Sequence, residues 1–190
     1  MASLPTIPAD TSVDKLLSEI MLNVAKEQLA SSSAAADLAG TEITMVVDVD
    51  GDMYSYALKN GAEVSYTKGD TASPKLRLKV SKGDMEKMIK TQNLDMILGI
   101  MNDLNKAKYN ALNSLKGSFV AEISMDDGSS VKLLAILNNA TDPASVFKMT
   151  AKDTGALMRK ETNPVNLFMS GAMKIEGDMA FAMGTQPLFS

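Results

Sequence analysis

The polar and apolar positions of the chain change period several times, and each change marks an element. Val13, Leu16, Leu17, Ile20, Met21 and Val24 recur at three- and four-residue spacing, so they share one face of a helix over about 13–29. Ser12 stands at its N-cap, and Asp14 and Glu19 lie near its start. Residues 30–36, ASSSAAA, are small and weakly patterned and predict a linker or a fraying helix end. From Thr41 the period falls to two. Ile43, Met45, Val47 and Val49 line one face of a strand, Asp50-Gly51 turns the chain, YSYAL runs back, and Asn60-Gly61 turns it again. In a fourth strand, 75–81, Leu76, Leu78 and Val80 alternate with Lys75, Arg77 and Lys79, so one face of the sheet is apolar and the other meets water.

The helical period then returns. Met85, Met88 and Ile89 mark a short helix, and Leu94, Ile97, Leu98, Met101 and Leu104 mark a longer one predicted to reach about Leu115. After Gly117, FVAEISM, a turn at Asp127-Gly128 and VKLLAIL predict a hairpin, SVFKMT a further strand, and Ala156, Leu157 and Met158 the helix behind it. Two stretches share an order of elements. PKLRLKVSKGDMEKMIKTQNLDMILGIM (74–101) and ASVFKMTAKDTGALMRKETNPVNLFMSGAM (144–173) each read strand, Ser or Thr, Asp, Met/Leu helix, Asn, apolar helix. This predicts an N-terminal tail, 1–12, and one unit, 13–190, built from two pseudo-repeats at about 13–101 and 102–190.

Composition narrows the chemistry more than the fold. With 190 residues, 45% of them hydrophobic, the chain can bury a full core. Its net charge is −4, and its five Phe and four Tyr are not interleaved with Lys or Arg, so no nucleic-acid partner is expected. The absence of His and Cys removes imidazole and thiolate chemistry, disulfides, and zinc sites with nitrogen or sulfur ligands. DVDGD at 48–52 puts Gly51 fourth and Lys59 twelfth, whereas a calcium loop needs Gly sixth and Glu twelfth, so it predicts a tight turn. The acid pairs Asp126/Asp127 and Glu176/Asp178 sit at a turn and a helix start, where carboxylates are solvated or capping. No catalytic residue, metal or cofactor is expected. MASLPTIPADTS has neither a basic nor an apolar leader region, and no apolar run reaches the roughly 18 residues of a membrane span, which predicts no transmembrane segment and a cytoplasmic protein. Of fifteen methionines, ten cluster at 85–101 and 149–183. Met fills irregular cores and also makes walls that adapt to ligands of varied shape.

Residues 163–189, NPVNLFMSGAMKIEGDMAFAMGTQPLF, resemble the C-terminal signature of the sterol carrier protein 2 family. The likeness lies in a short helix led by Asn163 and Pro164, a small step at Gly171, a strand with Lys174 and Ile175 ending in Gly177-Asp178, and a helix carrying Met179, Ala182 and Met183. SVFKMTAKDTGALM and FVAEISMDDGSSVKLLAIL are similar to the strand–helix element and hairpin that precede it in the family. The chain departs from the family in being longer and acidic, and its first half lacks a strand of its own like MKIEGD.

The resemblance implies an α+β fold, a curved, mainly antiparallel β-sheet covered by helices and enclosing a hydrophobic tunnel. It further implies a non-enzymatic protein that binds and transfers a lipid-like small molecule such as a fatty acyl chain, sterol or isoprenoid. Met96, Met101, Phe168, Met169, Met173, Met179, Ala182 and Met183 are the residues expected on the wall of the apolar cavity. Asp178 is expected to cap a helix over 178–187, with Met179, Ala182 and Met183 on one face and Phe181 on another. Two alternatives stay open: a protein-interaction module, and an accessory factor that presents a lipid or quinone intermediate to a partner enzyme. A weak contact with a membrane or an enzyme, and the oligomeric state, also stay open.

Overall fold

The first helical period forms one continuous run in the computed structural model, which describes residues 6–30, 34–99 and 104–189. It comprises α1 (Val13–Lys15), a π-helical stretch Leu16–Ile20 and α2 (Met21–Ala30), with Ser12 Oγ accepting from the Lys15 N–H at 3.2 Å. Of the tail expected at 1–12, residues 1–5 lie outside the described residues, while Ile7 is buried and the Gln92 side chain clasps its backbone. Of the linker expected at 30–36, residues 31–33 lie outside the described residues, and α3 (Ala34–Asp37) follows them.

Eight strands make one sheet: β1 (Glu42–Val49), β2 (Asp52–Lys59), β3 (Glu63–Lys68), β4 (Leu76–Val80), β5 (Gly117–Ser124), β6 (Ser130–Leu137), β7 (Ala144–Thr150) and β8 (Lys174–Gly177). Their spatial order is β3-β2-β1-β4-β6-β5-β7-β8. Five of the seven pairings are antiparallel, and β1–β4 and β5–β7 are parallel. Between and after the strands come α4 (Lys82–Lys90), α5 (Asp95–Leu98), α6 (Lys106–Ser114), α7 (Ala151–Met158), α8 (Pro164–Met169), α9 (Met179–Gly184) and a 3₁₀ turn Gln186–Phe189. This is the α+β architecture, a mainly antiparallel sheet with helices, that the sequence implies. Among the described residues no helix is long and apolar enough to cross a membrane.

The register carries rows of side chains across the sheet. Tyr54, Val47, Leu78, Ala135 and Phe119 are neighbours on successive strands from β2 to β5. Val49, Val80, Leu133, Ala121, Phe147 and Ile175 continue from β1 to β8. The helices cover this face. The opposite face pairs charge across strands, with Lys79 3.5 Å from Asp48, Lys132 3.4 Å from Glu122 and Lys148 2.7 Å from Glu176. Asp50-Gly51 and Asn60-Gly61 form the expected turns, each with two consecutive positive φ angles; the first is a two-residue hairpin, and Ala62 adds a third residue to the second.

One element differs from expectation. The helix expected from Leu94 to about Leu115 is two helices, because α5 ends at Leu98 and Asn105 starts α6. Asn105 is extended, and its side chain accepts from the Lys108 N–H at 3.0 Å, a fresh N-cap that outweighs the apolar spacing running through the break.

Ala135 is fully buried, one neighbour in its row being Leu78 of the N-terminal half and the other Phe119. Ala135→Asp is therefore expected to destabilise the protein by about 3–5 kcal/mol through a buried, unpaired charge. Three of the four tyrosines, Tyr54, Tyr56 and Tyr66, sit on β2 and β3, and there is no Trp, so urea unfolding followed by tyrosine fluorescence reads the distant half. The fluorescence midpoint should fall in step with the global one. A wild-type midpoint would show that the halves unfold independently.

Candidate functional site

The chain after β7 places its helices through local devices. Asn163 caps α8, its Oδ1 accepting from the Asn166 N–H at 2.8 Å, and Pro164 occupies the first turn, where its missing N–H is not needed. β8 ends at Gly177, whose φ is 86°; a Cβ there would lie 2.5 Å from the Ala144 carbonyl oxygen, which accepts from the Asp178 N–H at 2.9 Å. Glycine thus lets the end of β8 close against β7. Asp178 caps α9 as expected, its Oδ1 accepting from the Phe181 N–H at 2.7 Å. The helix is shorter than the 178–187 expected, ending at Gly184 before the 3₁₀ turn. Phe181 packs against Gly117, where a Cβ would come within 2.7 Å of the ring.

These anchors leave an apolar space between the sheet and the layer formed by α6, α8, α9 and the 3₁₀ turn. Phe119, Phe147 and Phe189 meet edge to face within it, at centroid separations of 5.4, 5.8 and 6.3 Å. Two voids remain. The first, of ≈ 20 Å³, lies among Met96, Phe168, Met173, Ala182, Met183 and the three rings. The second, of ≈ 40 Å³, lies under α6 among Leu104, Lys108, Leu112, Met158 and Leu188. Met96, Phe119 and Phe189 border both, so the Phe189 ring is part of the partition. Each void has room for about one to three waters, whereas small-molecule sites span about 300–1,000 Å³.

Five of the eight residues expected on the cavity wall, Met96, Phe168, Met173, Ala182 and Met183, border the first void. Met96, Met173 and Ala182 are buried, while Phe168 and Met183 reach solvent at 38% and 42% exposure. Met169, 78% exposed, and Met179, 43% exposed, border neither void. Met101 lies outside the described residues. The three phenylalanine rings were not on that wall in the sequence reading. Phe119 and Phe147 could have been found from the alternation of their strands, but Phe189 follows no periodic element. Lys108 carried a signal too, a charge in the i, i+4 stripe Leu104–Lys108–Leu112. Among the described residues, the exposed large apolar side chains, Val165, Phe168, Met169, Met179 and Met183, all lie on α8 and α9.

A polar cleft of ≈ 480 Å³ lies elsewhere, between the N-terminal segment, β2, β3 and α4. There Lys68 donates to Asp14 at 2.9 Å and stands 3.6 Å from the Tyr54 ring centroid, and the hydrogen bond from Lys68 holds the Asp14 carboxyl below its usual range. Its walls mix Asp10, Asp14, Asp52 and Glu86 with Lys68, Lys82 and Lys90, so neither sign of charge dominates.

Residues 98–190 match the model of the SCP-2 sterol transfer family. Among solved structures, the sterol carrier protein domain 2 of Helicoverpa armigera is 18% identical with a TM-score of 0.37, over 53% of this chain and 84% of its own. Sterol carrier protein 2 like 2 from Aedes aegypti is 13% identical with a TM-score of 0.34, over 49% and 93%. Sterol carrier protein 2 from Yarrowia lipolytica, in its apo form, is 14% identical with a TM-score of 0.25, over 94% and 93%. No curated protein matches the chain. The stretch that matches the family's model holds β5 to β8 together with α6, α7, α8 and α9, the part of the chain around the two voids.

Proposed function

We propose that the protein binds a lipid-like apolar ligand, a fatty acyl chain, a sterol or an isoprenoid, without chemistry of its own, and passes it on. The observation that carries this function is the pair of apolar voids parted by Phe189. A tunnel forms when Leu188 and Phe189 swing out and the voids merge. Methionine walls at Met96, Met173 and Met183 adjust to the new occupant by changing rotamers. The ligand then replaces burial that the 3₁₀ turn supplied, and each further CH₂ taken from water adds about 0.8 kcal/mol. Phe168 and Met183 form the mouth, with Met169 and Met179 on its exposed rim. The absence of His and Cys favours a carrier over a catalyst, and the family matched by residues 98–190 is one of sterol transfer.

The proposal extends to the organisation of the chain, with pseudo-repeats at about 13–101 and 102–190. Its support is that β2-β1-β4 and β6-β5-β7 have the same order and the same relative directions. The N-terminal unit is the scaffold. Its helical run seals the sheet, with Leu16 and Leu17 fully buried and the Tyr56 hydroxyl donating to the Leu17 carbonyl at 2.5 Å. Burial of that phenol raises its pKa well above the usual value.

Delipidated protein titrated with cis-parinaric acid, a fluorescent fatty acid, should show saturable binding; a linear, non-saturating signal from folded protein would sink the proposal. Phe189→Ala should bind the probe severalfold more tightly while its Tm falls, and unchanged affinity would show that the ring does not stand in the ligand's way. Met183→Glu should leave stability within about 0.5 kcal/mol, because the side chain already meets water, yet weaken probe binding. Met173→Glu, at a buried site, should instead lower stability by several kcal/mol in thermal unfolding, on the order expected for a buried charge. Equal effects of the two glutamates on stability would remove Met183 from the mouth.

A further inference from the structure

Lys108 breaks the rule that fills the rest of the chamber. It lies on α6 between Leu104 and Leu112 at four-residue spacing, where an amphipathic helix turns its apolar face inward. The residue is 6% exposed, as deeply covered as its leucine neighbours, and borders the second void with them. Eleven described residues line that void, and Lys108 is the one ionisable residue among them. The first void has no ionisable residue in its described lining. The space that the two voids would form on merging is therefore polarised, uncharged at the mouth between α8 and α9 and cationic at the far end under α6.

A lysine in a wall of Leu, Met and Phe loses much of its hydration and is kept there only with compensating interactions, and Lys108 has one within the protein. Methionine would fill the same volume at lower cost. An ammonium offers three donors and keeps its charge on a compact group, so an anionic oxygen arriving from the void can share it even though Lys108 is already engaged within the protein. In a medium of low effective dielectric that contact is stronger than it would be in water.

From this arrangement we infer that Lys108 selects the ligand's polar end: the chamber takes single-chain amphiphiles with an anionic headgroup, seated at Lys108, in preference to neutral lipids of the same length. This rests on the proposed apolar site and adds the class of its ligand and the residue that sets it. The hydrocarbon runs from Lys108 past Met96 and Phe119, through the position of Phe189, toward Phe168 and Met183. Carboxylate and phosphate share the chemistry that Lys108 recognises, so fatty acids and lipid monophosphates are both candidates.

The test compares oleate, oleyl phosphate and oleyl alcohol, three ligands with one chain, by displacement of a neutral fluorescent probe from wild type, Lys108→Met, Lys108→Gln and Lys108→Arg. Wild type should bind the two anions more tightly than the alcohol. Lys108→Met should lose roughly tenfold to a hundredfold in affinity for the anions, the range of one charge-assisted hydrogen bond, and keep or improve its affinity for the alcohol. Lys108→Arg should restore the preference for anions. Whichever anion loses more identifies the headgroup better fitted to the site. Circular dichroism melts confirm folding, and if Lys108→Met is unfolded the comparison is made with Lys108→Gln. A folded Lys108→Met or Lys108→Gln that binds oleate and oleyl phosphate as wild type does overturns the assignment, as does a parallel loss for all three ligands. Wild type that binds alcohol and anions equally also overturns it, but leaves the apolar site standing. Wild type that binds none of the three removes the proposed function itself.

Discussion

The antiparallel seam between β4 and β6 is the constraint on which the rest of the structure depends. Through it Leu76, Leu78 and Val80 meet Leu137, Ala135 and Leu133, and two three-stranded groups become one sheet. Both groups run in the same direction along the sheet, so the join uses one edge of each and leaves β2 and β7 facing outward. An arrangement of this kind does not close on itself and would accept further strands at either end. β3 and β8 occupy those ends. β3 carries Glu63 and Lys68 and exposes most of its length, and β8 is four residues long with Lys174 and Glu176 outward, the short, charged character that discourages further pairing. The strand that sets the second half apart and the meander strand that sets the first half apart perform one task at opposite edges.

The seam also decides which half has space inside. Across β6, β5 and β7 the register sets Ala135 beside Phe119 and Ala121 beside Phe147, small against large in alternation. Large rings on small neighbours leave depressions that the covering helices, short and separated by loops, do not fill. In the first half the corresponding rows hold Met45 beside Tyr56 and Val47 beside Tyr54, with no alanine to open a gap, and one long helical run lies over them. The two apolar voids both border Phe119, on the side of the sheet where rings and alanines alternate.

How much of this could be read from the sequence follows from the range of the forces involved. The strands, the Asp50-Gly51 and Asn60-Gly61 turns, and the caps at Ser12, Asn163 and Asp178 are set within a few residues of themselves, and the sequence carries them plainly. The break at Asn105 was hidden because Leu98, Met101 and Leu104 follow at three-residue steps in the sequence, while the cap that starts α6 looks like any polar residue. For α9, i, i+3, i+4 spacing grouped Met179 with Met183, but a helix of barely two turns is oriented by its anchors, and those are Phe181 over Gly117 and the buried Ala182. Strand order was illegible in principle, since it depends on residues far away in the chain, whereas Lys108 left a faint signal as the one charge in the Leu104–Leu112 stripe. Phe189 had no signal at all: its place is given by the two rings it meets on β5 and β7.

A resident plug changes what selectivity can rest on. Apolar surface behind β5 and β7 cannot be left wet without loss, and the 3₁₀ turn lays Leu188 and Phe189 over it. On the proposed function a ligand would displace that cover, and its apparent affinity would be scaled down to the fraction of molecules in which the chamber is open. The penalty is the same for every apolar chain of similar size, because the plug offers only hydrocarbon and competes only with hydrocarbon. It therefore lowers affinity without sorting ligands. Sorting requires an interaction that the plug cannot imitate, and the chamber contains one candidate. Neither Leu188 nor Phe189 carries a charged group, so an ammonium at Lys108 distinguishes an anionic amphiphile both from neutral lipids and from the protein's own cover.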